Sequence, residues 1–461
     1  MPKQEVEKAL SLADETKFLK IGENILSEIP AIFKAQFPGK KAIVIADKNT
    51  YRVAGEAVHK YLSDAGLEYG QPLIMDDPDL YADYRFVQKI VTYLKPFDAI
   101  AVAVGGGVIN DITKRANYEL ERPYMCVATA ASMDGYSAYG ASITKEGAKM
   151  TMTCPAPQAI VADLAVICKA PPITTASGYA DLYAKVPAGA DWILADALGV
   201  EPLDDQSWHI VQDGLESALK DPAGAKAGEV SAIEPLIEGL MLGGFAIQSL
   251  RSSRPASGAE HQFSHLWDME HHTFKGEMAK KFGLYKDQDE QAPSHGFKVG
   301  IGLLTISALY ERIFETPLDQ LDVKKAVSQW KPLEEQVAEV NEMFKGTGLE
   351  EFAAKQITEK YISKEDLEKQ LTTLKNNWSK IREDLKKQII PYAETKKRLK
   401  LVGAPVECEE IGITRDRLRK SFYRAQKIRN RFTVLDLAVR TGYLDQWVDE
   451  LFGENGVLQH S

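Results

Sequence analysis

The chain has 461 residues, 44% of them hydrophobic and 26% charged, with 21 prolines; this length suggests two or three domains and the composition excludes long disorder. With 56 Lys+Arg against 66 Asp+Glu the formal charge is −10, which argues against a general nucleic-acid or anionic-membrane binder, so any phosphate must be met by a local basic or N–H-rich pocket. Four cysteines, Cys126, Cys154, Cys168 and Cys408, form no C-x-x-C pair and point to a reducing, cytoplasmic setting. The N-terminus carries acids and no apolar core, unlike a secretory signal, and apolar runs such as Ala99 to Val104 fall far short of a bilayer span.

From about residue 41, short β-branched runs alternate with helical patterns. Strands are expected at 41–46, 72–75, 99–104 and 124–128, with helices at 52–65 and 82–95. This rhythm predicts a parallel sheet covered on both faces, with its ligand site beyond the carboxyl ends of the strands. Ser142 to Thr153 alternates polar and apolar residues about Glu146-Gly147 and reads as a β-hairpin. A last strand is expected over 159–167, before Pro171-Pro172, and none beyond. We therefore expect an α/β dinucleotide-binding domain over 1–170 and a helical domain over 171–461. Helices are predicted at 174–198, 206–220, 230–252, 257–273 and 295–316. Residues 324–398, rich in Lys, Glu, Leu and Gln, read as amphipathic helices with solvated charged faces. Ile411 to Phe452 forms a terminal helical block whose Arg415, Arg417, Arg419, Arg424, Arg429 and Arg431 either pair with surface acids or meet an anion.

Four stretches, and the single residue Asp47, could carry chemistry. Gly105-Gly106-Gly107-Val108-Ile109-Asn110-Asp111 follows a strand and opens a helix, where free N–H groups and the helix dipole suit a pyrophosphate, although a tight strand-to-helix turn needs the same glycines. Asp47, after the first strand, is either a ribose acceptor or a helix cap. Thr129-Ala130-Ala131-Ser132-Met-Asp134-Gly135 leaves the next strand on the same edge; its small residues allow a flat ligand to approach. Asp181 sits on a mainly apolar helix, where a carboxylate needs a cation, hydrogen bonds or solvent, and Lys185 at i+4 is a simple alternative partner. In Arg254 to Asp268, His261 and His265 share one helix face. With His295, which opens a later helix, Asp181 and His261 would give a mixed oxygen and nitrogen site with three protein ligands, suited to a catalytic divalent ion.

In this order, the four pieces resemble the superfamily of iron- or zinc-dependent polyol dehydrogenases and dehydroquinate synthase. Within it the chain is most similar to the sn-glycerol-1-phosphate dehydrogenase family, in its bacterial arabinose-operon-associated branch. The likeness runs from about residue 40 to 315 and returns at Leu401-Val-Gly-Ala-Pro405 and Arg431 to Arg440. It implies a Rossmann-like α/β domain plus an all-α, dehydroquinate synthase-like domain, and a cytoplasmic homodimer acting on a small phosphorylated substrate. By the same likeness Gly107 to Asp111 and Thr129 to Ser132 hold NAD or NADP, with Asp47 near the ribose. Asp181, His261 and His295 hold zinc, nickel or iron, and Asp134 and His265 face the substrate. Asp181 at the first ligand position, where dehydroquinate synthases have Glu, favours a dehydrogenase over a cyclase; other polyols, sugar phosphates or a phosphonate aldehyde are the rival substrates. Ala138, preceded by Ser137, stands where the family often has Ser, and His271-His272 adds two further imidazoles near the proposed ligands.

Overall fold

A computed structural model describes residues 3–78, 80–145, 148–285 and 288–459. Two compact units are present, Met1–Leu182 with His209–Ser253, and Tyr183–Trp208 with Arg254–Ser461.

The first unit is built on strands β1 (Phe18–Gly22), β2 (Lys41–Asp47), β3 (Leu73–Met75), β4 (Ala99–Gly105) and β5 (Tyr124–Ala128), a hairpin of β6 (Ala141–Lys145) and β7 (Ala148–Met152), and β8 (Ala159–Asp163). Six of them form one sheet in the order β1-β8-β5-β4-β2-β3, and every pairing in it is parallel. Strands β4, β5 and β8 are buried at every residue, as a sheet covered on both faces requires. On one face Val44, Val102, Val104, Val127 and Val161 pack with Ile29, Phe33, Val58 and Leu62, each such side chain contributing about 1.5–3 kcal/mol by leaving water. Hairpin register runs from Ala141↔Met152 to Lys145↔Ala148; the Glu146-Gly147 turn lies outside the described residues. The four cysteines are free thiols.

Two expectations need correcting here. The sheet gains β1 ahead of residue 41, an edge strand whose five residues are all half-buried and whose apolar signal is correspondingly weak. Strand β8 stops at Asp163 instead of running to 167, because the Asp163 carboxylate caps the short helix Leu164–Ile167 through Ala165 N–H at 2.9 Å. The same carboxylate accepts from the N–H groups of Asn24, Ile25 and Leu26 at 3.0, 2.8 and 3.1 Å, so it ties the exits of two neighbouring strands together. Helix Val230–Leu250 is long and apolar enough to cross a membrane, a run overlooked in the sequence, but 78% of its most apolar window is buried inside the protein.

Beyond β8 the chain is almost wholly helical. The helix expected at 174–198 is two, Pro172–Tyr183 and Lys185–Ala197. Pro187 has no N–H for the Tyr183 carbonyl, which breaks the ladder at that point. The stretch expected at 206–220 also divides, into Asp205–Gln212 and Leu215–Ala218. Helices Ala259–Met269 and His295–Glu315 stand where the two histidine segments predicted them. Contrary to expectation, two short antiparallel strands, β9 (Phe274–Lys275) and β10 (Glu290–Gln291), lie between these helices; at two residues each they carry no periodicity to read. Residues 324–398 are helical as expected. In Lys364–Gln388 the buried side chains are Leu367, Leu371, Leu374, Trp378, Ile381 and Leu385, one stripe at alternating spacings of four and three.

Asp163→Ala strands four buried or half-buried backbone donors at once. We expect a loss of about 3 kcal/mol or more in urea unfolding, against an intermediate loss for Asp163→Asn, whose one oxygen still serves two of the four donors; equal losses for the two would contradict the role given to the carboxylate.

Candidate active site

The carboxyl ends of β2, β4 and β5 are neighbours, with Ala46 opposite Val104 and Gly105 opposite Ala128. The three loops picked out in the sequence therefore leave one edge of the sheet. Asp47 caps the turn after β2, its Oδ1 accepting from Asn49 and Thr50 N–H at 2.8 and 2.9 Å while Thr50 Oγ1 accepts from Asp47 N–H at 3.1 Å. The cap reading is thus the observed one for its Oδ1. Gly106 caps helix Gly107–Glu119 in extended conformation, and a Cβ added there would meet nothing within 4 Å, whereas one on Gly105 would strike Ile109 at 2.6 Å and one on Gly107 Met133 at 2.7 Å. The backbone is thus open toward a ligand at Gly106 and closed behind it. Val108 is half-buried and Ile109 buried. Asn110 and Asp111 are buried and turned to the protein: Asn110 donates to Gly135 O at 3.2 Å and Asp111 accepts from Ser142 N–H at 3.3 Å. One turn on, Lys114 is also buried and donates to the carbonyls of Gly135, Ala138 and Gly140 at 2.8, 2.8 and 3.0 Å. Three polar residues on one helix face thus hold the loop that carries Asp134.

Thr129 N–H donates to Gly105 O at 3.3 Å, and Thr129, Ala130 and Ala131 are buried. Ser132 is half-buried, its hydroxyl 3.3 Å from Tyr136 Oη, which in turn donates to Ala130 O at 2.9 Å. Helix Pro172–Tyr183 lies directly on this loop at Gly178, where a Cβ would sit 2.0 Å from Ala131 O. Asp181, one turn further along the same face, is fully buried, and its Oδ2 accepts from Asp134 N–H at 3.2 Å. The Gly178-x-x-Asp181 spacing therefore docks a helix and aims a carboxylate in one step. Ser137 does not replace the serine absent at Ala138, since its hydroxyl donates to Met241 O at 2.8 Å in the interior.

In the second unit His261, His265 and His295 gather, with ring centroids 6.2 Å apart for His261–His265, 5.4 Å for His261–His295 and 6.4 Å for His265–His295. His261 Nδ1 lies 2.8 Å from Oε1 of the fully buried Glu260. That contact places the proton on Nδ1 and leaves the Nε2 lone pair for another partner, the arrangement found around metal-bound imidazoles. His295 is the first residue of its helix, capped by Ser294, and its Nδ1 lies 3.4 Å from Ser264 Oγ. His265 is held neutral: burial pushes its pKa well below the ordinary value, and the nearby Arg429 charge and the two imidazoles push the same way. A buried ion pair, Lys298 with Asp268, joins the two histidine helices. His272 is engaged elsewhere, its Nε2 2.7 Å from Ile411 O and its Nδ1 2.7 Å from Arg417, and His271 ends the helix at φ 52°.

A family model described as iron-containing alcohol dehydrogenase matches residues 20–171. A glycerol-1-phosphate dehydrogenase (NAD(P)+) of Geobacillus thermodenitrificans is 32% identical over 61% of this chain and 67% of that protein. One of Halalkalibacterium halodurans is 30% identical over 64% of this chain and 70% of its own length. The chain belongs to the glycerol-1-phosphate dehydrogenase family. It is an oxidoreductase of the iron-containing alcohol dehydrogenase group. Among solved structures, a probable glycerol dehydrogenase from Sinorhizobium meliloti matches with a TM-score of 0.57 at 15% identity, covering 94% of this chain and 97% of that one, which shows the shared fold.

This glycerol-1-phosphate dehydrogenase family member also has supporting residues that pattern reading missed. Asp191, fully buried, accepts from Ala259 N–H at 2.8 Å, Val434 N–H at 3.0 Å and Tyr310 Oη at 2.6 Å, so it anchors the start of the histidine helix to the terminal block. Glu260 and Lys114 were missed too. Their only sequence signal is a charge on an otherwise buried helix face.

Two tests follow from this geometry. Gly178→Ala has to push the 129–132 backbone aside, and we expect a cost of about 1–3 kcal/mol with faster amide exchange across 129–135; an unchanged melting temperature would refute that close approach. Burial, followed by the neighbouring Glu260 charge, raises the Asp191 pKa from 3.8 to about 7. The native state then binds its proton more tightly than the unfolded chain, so the contribution is full below about pH 4 and is lost as pH rises through about 7. Wild type should lose melting temperature between pH 5 and 8 relative to Asp191→Asn, and parallel profiles would rule this out.

Proposed function

We propose that the protein reversibly reduces dihydroxyacetone phosphate to sn-glycerol 1-phosphate by hydride transfer from NADH or NADPH, with one divalent ion, zinc, nickel or iron, held by Asp181, His261 and His295. What supports this reading is the chemistry of the donor set in a chain of this family: a fully buried carboxylate, Asp181, and two imidazoles, His261 and His295, whose ring centroids lie 5.4 Å apart. The chemistry of that set fits the ion. One carboxylate oxygen and two imidazole nitrogens suit zinc, nickel or ferrous iron, and Glu260 already presents His261 with Nε2 unprotonated. A cation held there supplies Lewis acidity at the C2 oxygen of the substrate.

The dinucleotide supplies or accepts the hydride. In this reading it lies along Asp47, the Gly105 to Asp111 turn and Thr129 to Ser132, with its pyrophosphate at the open backbone of Gly106 and the start of helix Gly107–Glu119. His265, packed beside His261 and His295, orients the substrate or relays the hydroxyl proton. Asp134, fixed by Asp181 through its own backbone N–H, orients the substrate. A cytoplasmic homodimer belongs to the same reading and is carried by the family likeness.

The test is NADH oxidation with dihydroxyacetone phosphate by protein stripped with a chelator and resupplied with zinc, nickel, iron or manganese. Turnover should return with metal in wild type and be lost in Asp181→Ala and His261→Ala. Glu260→Gln should weaken metal binding about 10–100-fold, read as the midpoint of the metal titration. Full turnover by the stripped protein, or by Asp181→Ala, would sink the assignment.

A further inference from the structure

The terminal helical block carries seven arginines; the sequence left open the role of the six at 415–431, and the structure sorts them. Arg415 pairs with Glu407 and Glu409, Arg417 and Arg424 both pair with Glu270, and Arg419 pairs with Asp449. These four follow the surface-pairing reading. Arg429 and Arg431 do something else: both reach back to one residue, Arg429 donating to Ser257 Oγ at 3.0 Å and Arg431 to Ser257 O at 2.6 Å. Ser257 is buried and directly precedes the cap of the histidine helix Ala259–Met269. A third arginine, Arg254, is fully buried beside them but donates to Asp191 O and Phe432 O and pairs with Glu201, which makes it part of the frame.

We propose that Arg429 and Arg431, brought together on Ser257, form the anion pocket that takes the phosphate of the substrate; this rests on the function proposed above and names the specificity element of that same site. Two guanidinium forks and a hydroxyl offer the planar, multidentate donor geometry that phosphate oxygens accept. The pocket lies at the start of the histidine helix, because Ser257 directly precedes its cap Gly258. Burial pushes the pKa of both arginines down, and the like charges of Arg429 and Arg254 add to this at Arg431, while Glu260 and Glu201 act against it. Two like charges gathered on one residue repel each other, and a bound phosphate dianion relieves that repulsion. In a chain with a net charge of −10, this is the local basic pocket that a phosphorylated substrate requires.

The experiment uses the full-length, metal-loaded enzyme with NADH and compares dihydroxyacetone phosphate with unphosphorylated dihydroxyacetone. In Arg431→Gln and Arg429→Gln the ratio of kcat/KM for the phosphorylated over the unphosphorylated substrate should fall by about tenfold or more; inorganic phosphate, a competitive inhibitor of wild type, should lose potency to the same extent. Arg431→Lys and Ser257→Ala, which disturb folding less, should shift the ratio in the same direction by a smaller factor. A proportional loss on both substrates, with phosphate inhibition intact, would overturn the proposal. If wild type turns over neither substrate, the functional reading has failed but the pocket is still tested: phosphate raising the melting temperature of wild type and not of Arg431→Gln supports it, and equal or absent protection overturns it.

Discussion

The second unit depends on one buried carboxylate. Glu260 is fully buried, where an ionised carboxylate is costly unless it is bonded and charge-compensated. Its Oε1 accepts from Gly258 N–H at 2.7 Å and meets His261 Nδ1 at 2.8 Å, and the positive charges of Arg429 and Arg431 lie near it. One side chain thereby sets where the helix begins and which nitrogen of His261 carries its proton. The helix that brings in His295 is constrained at the same residue, since a Cβ on Gly302 would stand 2.3 Å from Glu260 O. Helices can approach that closely only through a glycine, so the spacing between His261 and His295 is set by backbone contact as well as by side-chain packing.

Most of the sheet was legible because its central strands are buried on both faces and read as unbroken apolar runs. The same logic explains what was missed. Strand β1 is half-buried throughout, so neither an apolar run nor strict alternation marks it, and only pairing with β8 makes it a strand. The end of β8 was misplaced because Leu164-Ala-Val-Ile167 continues the apolar composition. What stops the strand is the Asp163 side chain, whose partners lie some 140 residues earlier in the chain and have no local signature. The break before Pro187, by contrast, was available from a local rule, because a proline there leaves the Tyr183 carbonyl without its helical partner.

At the site, the residues that reach outward were easier to find than those that support them. Glycines after a strand, a carboxylate on an apolar helix and histidines one turn apart are anomalies against a local background, and each stands out singly. Lys114, Asp191 and Glu260 are equally anomalous as buried charges, but burial is a property of the fold, and on sequence alone each resembles a surface charge on an amphipathic helix. Asn110 and Asp111 show the converse. They follow a phosphate-type turn and were grouped with it, yet their side chains face inward and, with Lys114, fasten the loop bearing Asp134.

The arginines show why counting charge along a chain says little about what the charge does. Six lie within 415–431, and four of them end on carboxylates that range from the well-exposed Asp449 to the mostly buried Glu270. The remaining two share Ser257. Desolvation lowers the pKa of both, and Arg429 and Arg254 add to this at Arg431. Such an arrangement is poor for stability when considered by itself. It persists in the fold because Ser257 holds both side chains at the start of the histidine helix, and binding an anion is the event that turns the repulsion to use.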